Sequence, residues 1–426
     1  MRHHTFANTP PLGWNSWDCY GAAVREEEVK GNADYMAEFL KPYGWEYVVV
    51  DIQWYEPGAN SSVYRPFVPL EMDEYSRLIP AVNRFPSAAD GNGFKGLAEY
   101  VHNLGLKFGI HIMRGIPRQA VHANTKILGT KARARNIAHP NSICPWNTDM
   151  YGVDAGKVGA QEYYNSLFQL YAEWGVDFVK VDDIAASRLY DTHLDEIRLI
   201  RKAIENCGRD MVLSLSPGPA PLEYAEDLKE NANMWRMTDD FWDHWNLLYG
   251  MFERCEKWNE HTGAGHWPDC DMLPLGHIGI RSVDGGGADR LTRFTKDEQV
   301  TMMTLWSIFR SPLMFGGELR DNDEWTLSLL TNKEVLELNQ NSHSNHLVYR
   351  KDDKIVWTAK DQDNNTYAAL FNATDEEAVV EVTLEQLGIT SKKRARNVWN
   401  QEELGEITDE IKQTLPPHGS ILIKLF

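Results

Sequence analysis

Short β-branched runs alternate with longer amphipathic segments along most of the chain, and this alternation constrains the fold more than any other feature. Strand-like runs occur at 47–52, 106–112, 176–183, 211–217 and 234–240, and helix-like segments occur between them at 94–105, 159–175 and 193–208. The alternation is typical of βαβ units, whose parallel sheet is covered on both faces. At 426 residues, a (β/α)₈ TIM barrel is favoured over a doubly wound sheet.

The pattern changes near residue 343. Beyond it, turn residues separate short runs of strand length: LVYRK, KIVWTAK, TYAALFNAT, AVVEVTL, ARNVWN and SILIKLF. Their number and spacing indicate an antiparallel β-sandwich. We therefore predict a catalytic barrel over 1–335 and a C-terminal antiparallel β-sandwich domain over 345–426.

The balance of charge limits the kind of ligand. Acidic residues outnumber basic ones 62 to 43, giving a formal net charge of −19. Nucleic-acid binding depends on Lys and Arg, so this balance argues against it and favours a small neutral ligand. There is no apolar run of membrane-spanning length and no apolar segment typical of a signal peptide at the N-terminus, so neither a membrane nor secretion is expected.

The cysteines bear on the compartment. The five cysteines (Cys19, Cys144, Cys207, Cys255 and Cys270) show no paired spacing, which predicts reduced thiols in a cytoplasmic protein. The oligomeric state is left open, a homo-oligomer included.

The predicted strands end in an unusual number of carboxylates. Barrels carry their active sites at the C-terminal ends of the strands. Asp51, Asp182, Asp240 and Asp271 all lie at or just beyond such ends. Carboxylates that converge repel one another unless a ligand, a metal or basic partners compensate. The sequence therefore predicts a site at this end of the barrel.

Two of these carboxylates have a basic residue on the same strand. Side chains alternate along a strand, so Lys180 shares a face with Asp182, and Arg236 shares one with Asp240, whereas Asp239 should point toward the helices. A lysine beside Asp182 would keep it ionised, as a nucleophile requires. For a lone Asp, a structural salt bridge is the alternative. Two carboxylates that face one ligand suit glycoside hydrolysis, in which one attacks the anomeric carbon and the other protonates the leaving oxygen.

Longer motifs make a resemblance visible. They are TPPLGWNSWDCYG (9–21), RFPSAADGNGFKGLAEYVHNLGLKFGIH (84–111), WGVDFVKVDD (174–183), NMWRMTDDFWDHW (233–245), PDCDMLPLG (268–276) and SPLMFGG (311–317). Together they resemble glycoside hydrolase family 27, the α-galactosidase and α-N-acetylgalactosaminidase family, over nearly the whole chain. The resemblance implies a (β/α)₈ barrel followed by an antiparallel β-domain, and a reaction that uses no cofactor and no metal.

The resemblance also implies residue roles. Asp182 would be the nucleophile and Asp240 the acid/base of a retaining double displacement. The residues predicted to contact the sugar are Trp14, Asp51, Ile52, His111, Lys180, Ser216, Arg236 and Asp271.

Two of these positions depart from the α-galactosidase pattern. Ser216 stands where α-galactosidases carry a Glu, and a small Ser there is typical of α-N-acetylgalactosaminidases, which remain an alternative. Ile52 stands where the family's second Asp grips the 4- and 6-hydroxyls, and β-L-arabinopyranosidase members resemble this chain in having an apolar residue there. L-Arabinopyranose has the ring stereochemistry of D-galactopyranose without the C6 arm. The sequence therefore favours β-L-arabinopyranosides over α-D-galactosides.

Two other classes stay open. A metal-dependent barrel hydrolase could use Asp51, His111 and Asp182 as ligands, and retention of full activity in EDTA would eliminate it. A non-catalytic sugar-binding protein would tolerate loss of either carboxylate. The long segment 53–93 after the second strand is expected to form a rim loop of undetermined role.

Overall fold

A computed structural model describes residues 1–61, 63–187, 189, 192–282 and 288–426, and these form strands in two regions. In the first region the strands are β1 (Leu12–Asn15), β2 (Tyr47–Val50), β3 (Lys107–Met113), β4 (Ile116–Pro117), β5 (Ala138–Ile143), β6 (Met150–Val153), β7 (Phe178–Asp182), β8 (Val212–Leu215), β9 (Met234–Arg236), β10 (Trp267–Asp269), β11 (His277–Ile278), β12 (Arg290–Leu291) and β13 (Leu313–Phe315). In the second they are β14 (His343–Lys351), β15 (Lys354–Lys360), β16 (Thr366–Asn372), β17 (Ala378–Thr383), β18 (Lys393–Asn397), β19 (Glu403–Ile407), β20 (Glu410–Leu415) and β21 (Ser420–Leu425).

The α-helices all precede the second region. In chain order they are α1 (Trp17–Tyr20), α2 (Glu26–Tyr35), α3 (Lys95–Asn103), α4 (Arg118–Ala123), α5 (Ala134–Ile137), α6 (Ala160–Trp174), α7 (Leu194–Asn206), α8 (Ala225–Asn231), α9 (Trp245–Trp258), α10 (Lys296–Phe309), α11 (Glu324–Leu330) and α12 (Lys333–Asn341). None of the helices in the described ranges combines the length and the apolar character needed to cross a bilayer.

Eight parallel strands form the barrel. Their order in the sheet is β10, β9, β8, β7, β3, β2, β1 and β13. Leu273, just beyond β10, forms a parallel bridge with Phe315 of β13 and so connects the two outer strands. A helix lies between each strand and the next, as in α3 between β2 and β3, so the predicted (β/α)₈ barrel is confirmed.

The local sequence explains these elements. All four residues of β2, Tyr-Val-Val-Val, are buried, as expected for a strand covered by side chains on one face and helices on the other. Helix α6 ends at Trp174 and is capped by Gly175, whose φ of +85° is a left-handed conformation that glycine adopts without steric cost. Its Tyr164, Phe168 and Tyr171 are buried, at the spacing of one helix face.

Two long excursions build the rim above the C-terminal ends of the strands. The segment 53–93, between β2 and α3, is mostly turns, with a 3₁₀-helix at Pro86–Gly91. Between β3 and α6 the chain forms the small antiparallel sheet β4–β6–β5, which the sequence analysis did not anticipate. Both excursions contribute aromatic side chains to the site described below.

The C-terminal region is the predicted antiparallel sandwich. A six-stranded sheet in the order β14–β15–β16–β21–β18–β19 faces the two-stranded sheet β17–β20. In β15, Val356 belongs to the core between these sheets, whereas its neighbours Ile355 and Trp357 belong to the core shared with the barrel. Phe371 of β16 likewise contacts Phe252 of α9. Both faces of the large sheet are therefore buried at β15 and β16.

Several strands end earlier than the sequence predicts. The fifth predicted run extends to Asp240, but β9 ends at Arg236. Similarly, β2 ends at Val50, immediately before Asp51. Strands β19 and β20 were not predicted, because charged and polar residues interrupt their apolar residues and leave no continuous β-branched run. The shortened ends change which side chains face the site.

Candidate active site

A cavity of about 370 Å³ opens at the C-terminal ends of the barrel strands. The side chains around it are polar toward the barrel and aromatic toward the rim. They are Trp17, Asp18, Asp51, Ile52, Tyr64, Trp146, Lys180, Asp182, Pro217, Arg236, Asp239, Asp240, Phe241, Trp242, Asp271 and Met272. Six of the predicted site residues therefore meet here with Ile52: Asp51, Lys180, Asp182, Arg236, Asp240 and Asp271.

Asp182 is the last residue of β7, and its carboxylate is held from two directions. Its Oδ2 lies 3.0 Å from Nε2 of His111, and its Oδ1 accepts a hydrogen bond of 2.7 Å from the backbone N–H of Asp183. Burial alone would raise the pKa of Asp182, but the His111 hydrogen bond and the charge of Lys180 hold that pKa below its ordinary value. Asp182 is therefore ionised at neutral pH, as a nucleophile must be.

Lys180 and Asp51 form a buried ion pair beside Asp182. Nζ of Lys180 lies 3.0 Å from Oδ2 of Asp51, which also accepts a hydrogen bond of 2.8 Å from Asn15. The backbone N–H of Ile52 donates to Oδ1 of Asp51. Burial opposes ionisation of Asp51, but the charge of Lys180, together with His111 and the two hydrogen bonds, outweighs it and lowers the pKa of that carboxyl. The sequence placed Lys180 beside Asp182, whereas its direct ion pair is with Asp51.

Arg236 is shared by two carboxyl groups on the opposite side of the cavity. Its Nη2 lies 3.0 Å from Oδ1 of Asp240, and its Nη1 lies 2.9 Å from Oδ1 of Asp271. The guanidinium is buried, whereas 47% of the Asp240 side chain is exposed. Asp240 can therefore exchange protons with solvent while it keeps a fixed partner.

Asp271 is the more enclosed of these two carboxyls. Its Oδ2 accepts a hydrogen bond of 2.7 Å from the backbone N–H of Phe241. Burial raises the pKa of Asp271 to about 7, because the attraction of Arg236 is opposed by the charges of Asp240 and Asp269. Burial also raises the pKa of Asp269. This side of the cavity therefore holds protons more readily than the Asp182 side.

Asp183 and Asp239 show where strand alternation holds and where it lapses. Asp183 turns away from the cavity and forms a buried ion pair of 2.9 Å with Arg114, as the alternation along β7 requires. Asp239 was predicted to face the helices, and this is wrong, since it lines the cavity. The reason is that β9 ends at Arg236, so the pleat no longer orients residues 239 and 240.

Ile52 lies in the cavity wall immediately after Asp51, and only 2% of it is exposed. Above it, three aromatic rings approach the cavity from α1 and the two rim excursions. The rings of Trp17 and Tyr64 are parallel to within 9° with centroids 6.5 Å apart, and Trp146 lies 5.5 Å from Tyr64. The cavity thus combines an apolar side wall with an aromatic mouth.

Three predicted sugar contacts are not in the cavity lining. Trp14 is fully buried and its indole N–H donates to the carbonyl of Gly317. His111 lies behind Asp182, and the Ser216 hydroxyl donates toward the carbonyl of Val181 at 3.4 Å while Pro217 lines the cavity. These residues support the wall from behind.

Sequence reasoning missed several lining residues. Trp17 and Asp18 lie in the same motif as Trp14, but just after β1 ends at Asn15. Their place beyond the end of a barrel strand is the sequence signal that could have identified them as lining residues. Tyr64 and Trp146 lie on loops, where no periodicity marks a residue as facing a site. Among the residues that the structure describes, no group of three or more His, Cys, Asp or Glu side chains is arranged to hold a metal ion.

Comparisons with known proteins agree with this geometry. A family model described as alpha galactosidase A matches residues 147–341, and one described as the alpha galactosidase C-terminal beta sandwich domain matches 351–425. The structure of a family 27 β-L-arabinopyranosidase from Geobacillus stearothermophilus is 71% identical in sequence, with a TM-score of 0.99, and the match covers 100% of this chain and 98% of that one.

Two further relatives are named for different sugars. A putative α-N-acetylgalactosaminidase from Bacillus halodurans is 64% identical, with a TM-score of 0.90, over 98% of this chain and 97% of that one. Alpha-galactosidase A of Cellvibrio japonicus is 27% identical over 100% of this chain and 94% of its own length.

Proposed function

The chain belongs to glycoside hydrolase family 27, and we propose that it is a retaining exo-glycosidase that prefers terminal β-L-arabinopyranosides to α-D-galactosides. The observation that carries the preference is Ile52, buried in the cavity wall beside Asp51. An isoleucine there fills the space that the C6 hydroxymethyl of galactose would occupy. It also offers no hydrogen-bond partner to a 6-hydroxyl, and an unmet hydrogen bond of this kind costs about 1–3 kcal/mol.

The two carboxylates support a double displacement. In the first step Asp182 attacks the anomeric carbon, the glycosidic bond breaks, and Asp240 transfers its proton to the leaving oxygen. In the second, Asp240 takes a proton from water, which attacks the same carbon and releases Asp182. The low pKa of Asp182 and the exposure of Asp240 to solvent both suit these roles.

Asp51 and Lys180 would fix the sugar. Their ion pair lies in the cavity next to Asp182, where both side chains can contact ring hydroxyls. Arg236 would contact the sugar near its 2-position while it orients Asp240. A neutral sugar can interact with such charges without neutralising them, which suits the acidic character of the chain.

The α-N-acetylgalactosaminidase alternative is less well supported. It depends on Ser216 leaving room for an acetamido group, but Ser216 is buried behind Pro217. The similarity to a putative α-N-acetylgalactosaminidase keeps the alternative worth testing. We expect poor cleavage of the N-acetylgalactosaminide.

A panel of p-nitrophenyl glycosides tests the substrate preference. We expect kcat/KM for the β-L-arabinopyranoside to exceed that for the α-D-galactoside by about 10- to 100-fold. Ile52→Asn should shift the ratio toward the galactoside, because it offers a partner to the 6-hydroxyl without a second charge beside Asp51. Ile52→Ala should shift it partly by making room.

Two outcomes would contradict the proposal. An unchanged ratio in both variants, with a galactoside preference in the wild type, would make the chain an ordinary α-galactosidase. If NMR shows that the initial product has the inverted anomeric configuration, the retaining mechanism is refuted.

The thiols support a cytoplasmic location. All five cysteines are buried and unpaired as disulfides, a state that reducing compartments maintain. Cell fractionation tests this assignment.

A further inference from the structure

Asp18 is a buried carboxyl in the cavity wall that neither the predicted roles nor the resemblance accounts for. It lies on α1, directly after Trp17, and only 2% of the residue is exposed. Its Oδ2 is buried, and no donor or acceptor among the described residues forms a hydrogen bond with it. Buried polar atoms in native proteins nearly always have a partner, so this oxygen requires an explanation.

The surrounding backbone makes room for this carboxyl and fixes it in place. A Cβ atom on Gly316 would overlap Oδ2 of Asp18, so the absence of a side chain at 316 is what allows the carboxyl to lie there. The carbonyl of Asp18 accepts a hydrogen bond of 2.8 Å from the N–H of Gly279. The carboxyl is therefore held at the cavity by its backbone, without a hydrogen bond to its Oδ2.

The charges around Asp18 favour its protonated form. Burial raises the pKa of this carboxyl well above its usual range, and the neighbouring carboxyls Asp271, Asp240 and Asp51 add to the effect. Lys180 opposes it, but the ammonium group of Lys180 is paired with Asp51. A neutral carboxyl in such a site carries a proton that it can donate, and it can also accept a hydrogen bond.

We propose that Asp18 binds the substrate directly, through hydrogen bonds between its carboxyl and one hydroxyl of the sugar whose bond is cleaved. A sugar hydroxyl is both a donor and an acceptor, so it matches a neutral carboxyl in both respects. Asp51, by contrast, already accepts hydrogen bonds from Asn15 and Ile52 in addition to its ion pair. The inference rests on the glycosidase function proposed above and adds a determinant of sugar recognition to it.

Two substitutions at residue 18 and one matched control test this role. Asp18→Leu has a similar shape but no polar atom, and we expect kcat/KM to fall about 10- to 100-fold. Asp18→Asn keeps one donor and one acceptor, and should stay within about tenfold of the wild type. Ser307→Ala, on α10, also removes a buried polar atom without a described partner, but lies outside the cavity lining and should leave kcat/KM unchanged.

The substrate is whichever of the p-nitrophenyl β-L-arabinopyranoside and α-D-galactoside the wild type cleaves faster. Thermal unfolding of each variant checks that it is folded, and Asp18→Ala replaces Asp18→Leu if the leucine variant is not. A structural role would lower the melting temperature, whereas we expect a fall in kcat/KM with the melting temperature kept or raised, because a buried, unpartnered carboxyl is removed.

Substrates that lack one hydroxyl identify the contact. Removing the hydroxyl that Asp18 binds should cost the wild type about 10- to 100-fold but cost Asp18→Leu little, since the partner is already gone. Full activity of Asp18→Leu would overturn the inference and leave the glycosidase proposal intact. So would a loss of kcat/KM on Asp18→Leu substitution that is equal for the parent and for every 2-, 3- and 4-deoxy substrate. A wild type that cleaves neither parent would refute the proposed function and the inference with it.

Discussion

The two sides of the cavity hold their carboxyl groups in opposite ways. The Asp182 wall consists of Asp51, His111, Lys180 and Asp182; the Arg236 wall consists of Arg236, Asp240, Asp269 and Asp271. In the Asp182 wall each carboxylate has its own partner, Lys180 for Asp51 and His111 for Asp182, and both pKa values are lowered. In the Arg236 wall, Asp240 and Asp271 share one guanidinium, and burial raises the pKa of Asp271 to about 7.

This difference separates two chemical roles within one cavity. A nucleophile must be ionised, whereas a general acid must keep its proton until the leaving oxygen needs it. The Asp182 wall favours the first state, whereas burial in the Arg236 wall favours the second at Asp269 and Asp271, whose pKa values are raised. The number of partners per carboxyl, more than the identity of any one residue, distinguishes the walls.

Removal of the two carboxyls proposed to act as nucleophile and acid/base should give the largest effect and should separate the walls. Asp182→Ala should lower kcat by on the order of 10⁴-fold or more on every substrate, because no covalent intermediate can form. Asp240→Ala should lose about 10²- to 10⁴-fold on poor leaving groups but little on 2,4-dinitrophenyl glycosides, which leave without a proton. Steady-state kinetics on a leaving-group series checks both.

Azide provides the stereochemical readout for the same variants. It should rescue Asp182→Ala with inversion and Asp240→Ala with retention, since the nucleophile is absent in one and present in the other. Asp239→Asn is the matched comparison, because Asp239 also lines the cavity, and it should lose far less activity. Rescue with the same configuration in both alanine variants would mean that the roles are misassigned.

An intermediate effect is expected where the Asp182 wall loses a hydrogen bond. His111→Phe removes the group that lies 3.0 Å from Asp182, so the pKa of Asp182 should rise. The carboxylate then becomes protonated at a higher pH, and the acidic limb of the kcat/KM profile should move upward by about one pH unit. His111→Gln, which can donate an N–H, should move it less; equal shifts in the two variants would argue against a hydrogen-bonding role.

The smallest effect should come from relieving the crowding of the Arg236 wall. Asp271→Asn removes a neighbouring negative charge and leaves Arg236 to Asp240 alone. Removing that charge weakens the repulsion within the wall, so the alkaline limb of kcat/KM should move downward by about half a pH unit to one unit. Asp210→Asn makes the same change in net charge at an exposed site, and a shift of equal size in it would contradict the explanation.

The same comparison shows what the sequence could reveal. The barrel fold and five of its strands followed from alternation, and Asp182 followed from its place at the end of a β-branched run. Asp239 was misplaced because alternation orients side chains only within a strand, and β9 is just three residues long. The sharing of Arg236 by Asp240 and Asp271 was not predicted. These carboxyls follow two different strands and are close in space, whereas spacing along the sequence does not connect them.

Positions close to a strand end were the least predictable. Trp14 and Trp17 lie in one motif, yet the end of β1 at Asn15 puts the first inside the fold and the second at the cavity. Tyr64 and Trp146 are brought together by two separate excursions, and their contact is set by tertiary packing. Such contacts leave no local pattern in the sequence.

The double burial of the large C-terminal sheet has a consequence for how this architecture can be inherited. The face of β15 that carries Trp357 contacts Phe309 of α10, so the sheet serves as a wall of the barrel's own core. A barrel separated from this sheet would present a large apolar surface to water, and a sheet grafted onto another barrel would need matching side chains on its helices. Recombination that exchanges one domain alone should therefore be selected against, and the two should diverge together as one unit of evolution.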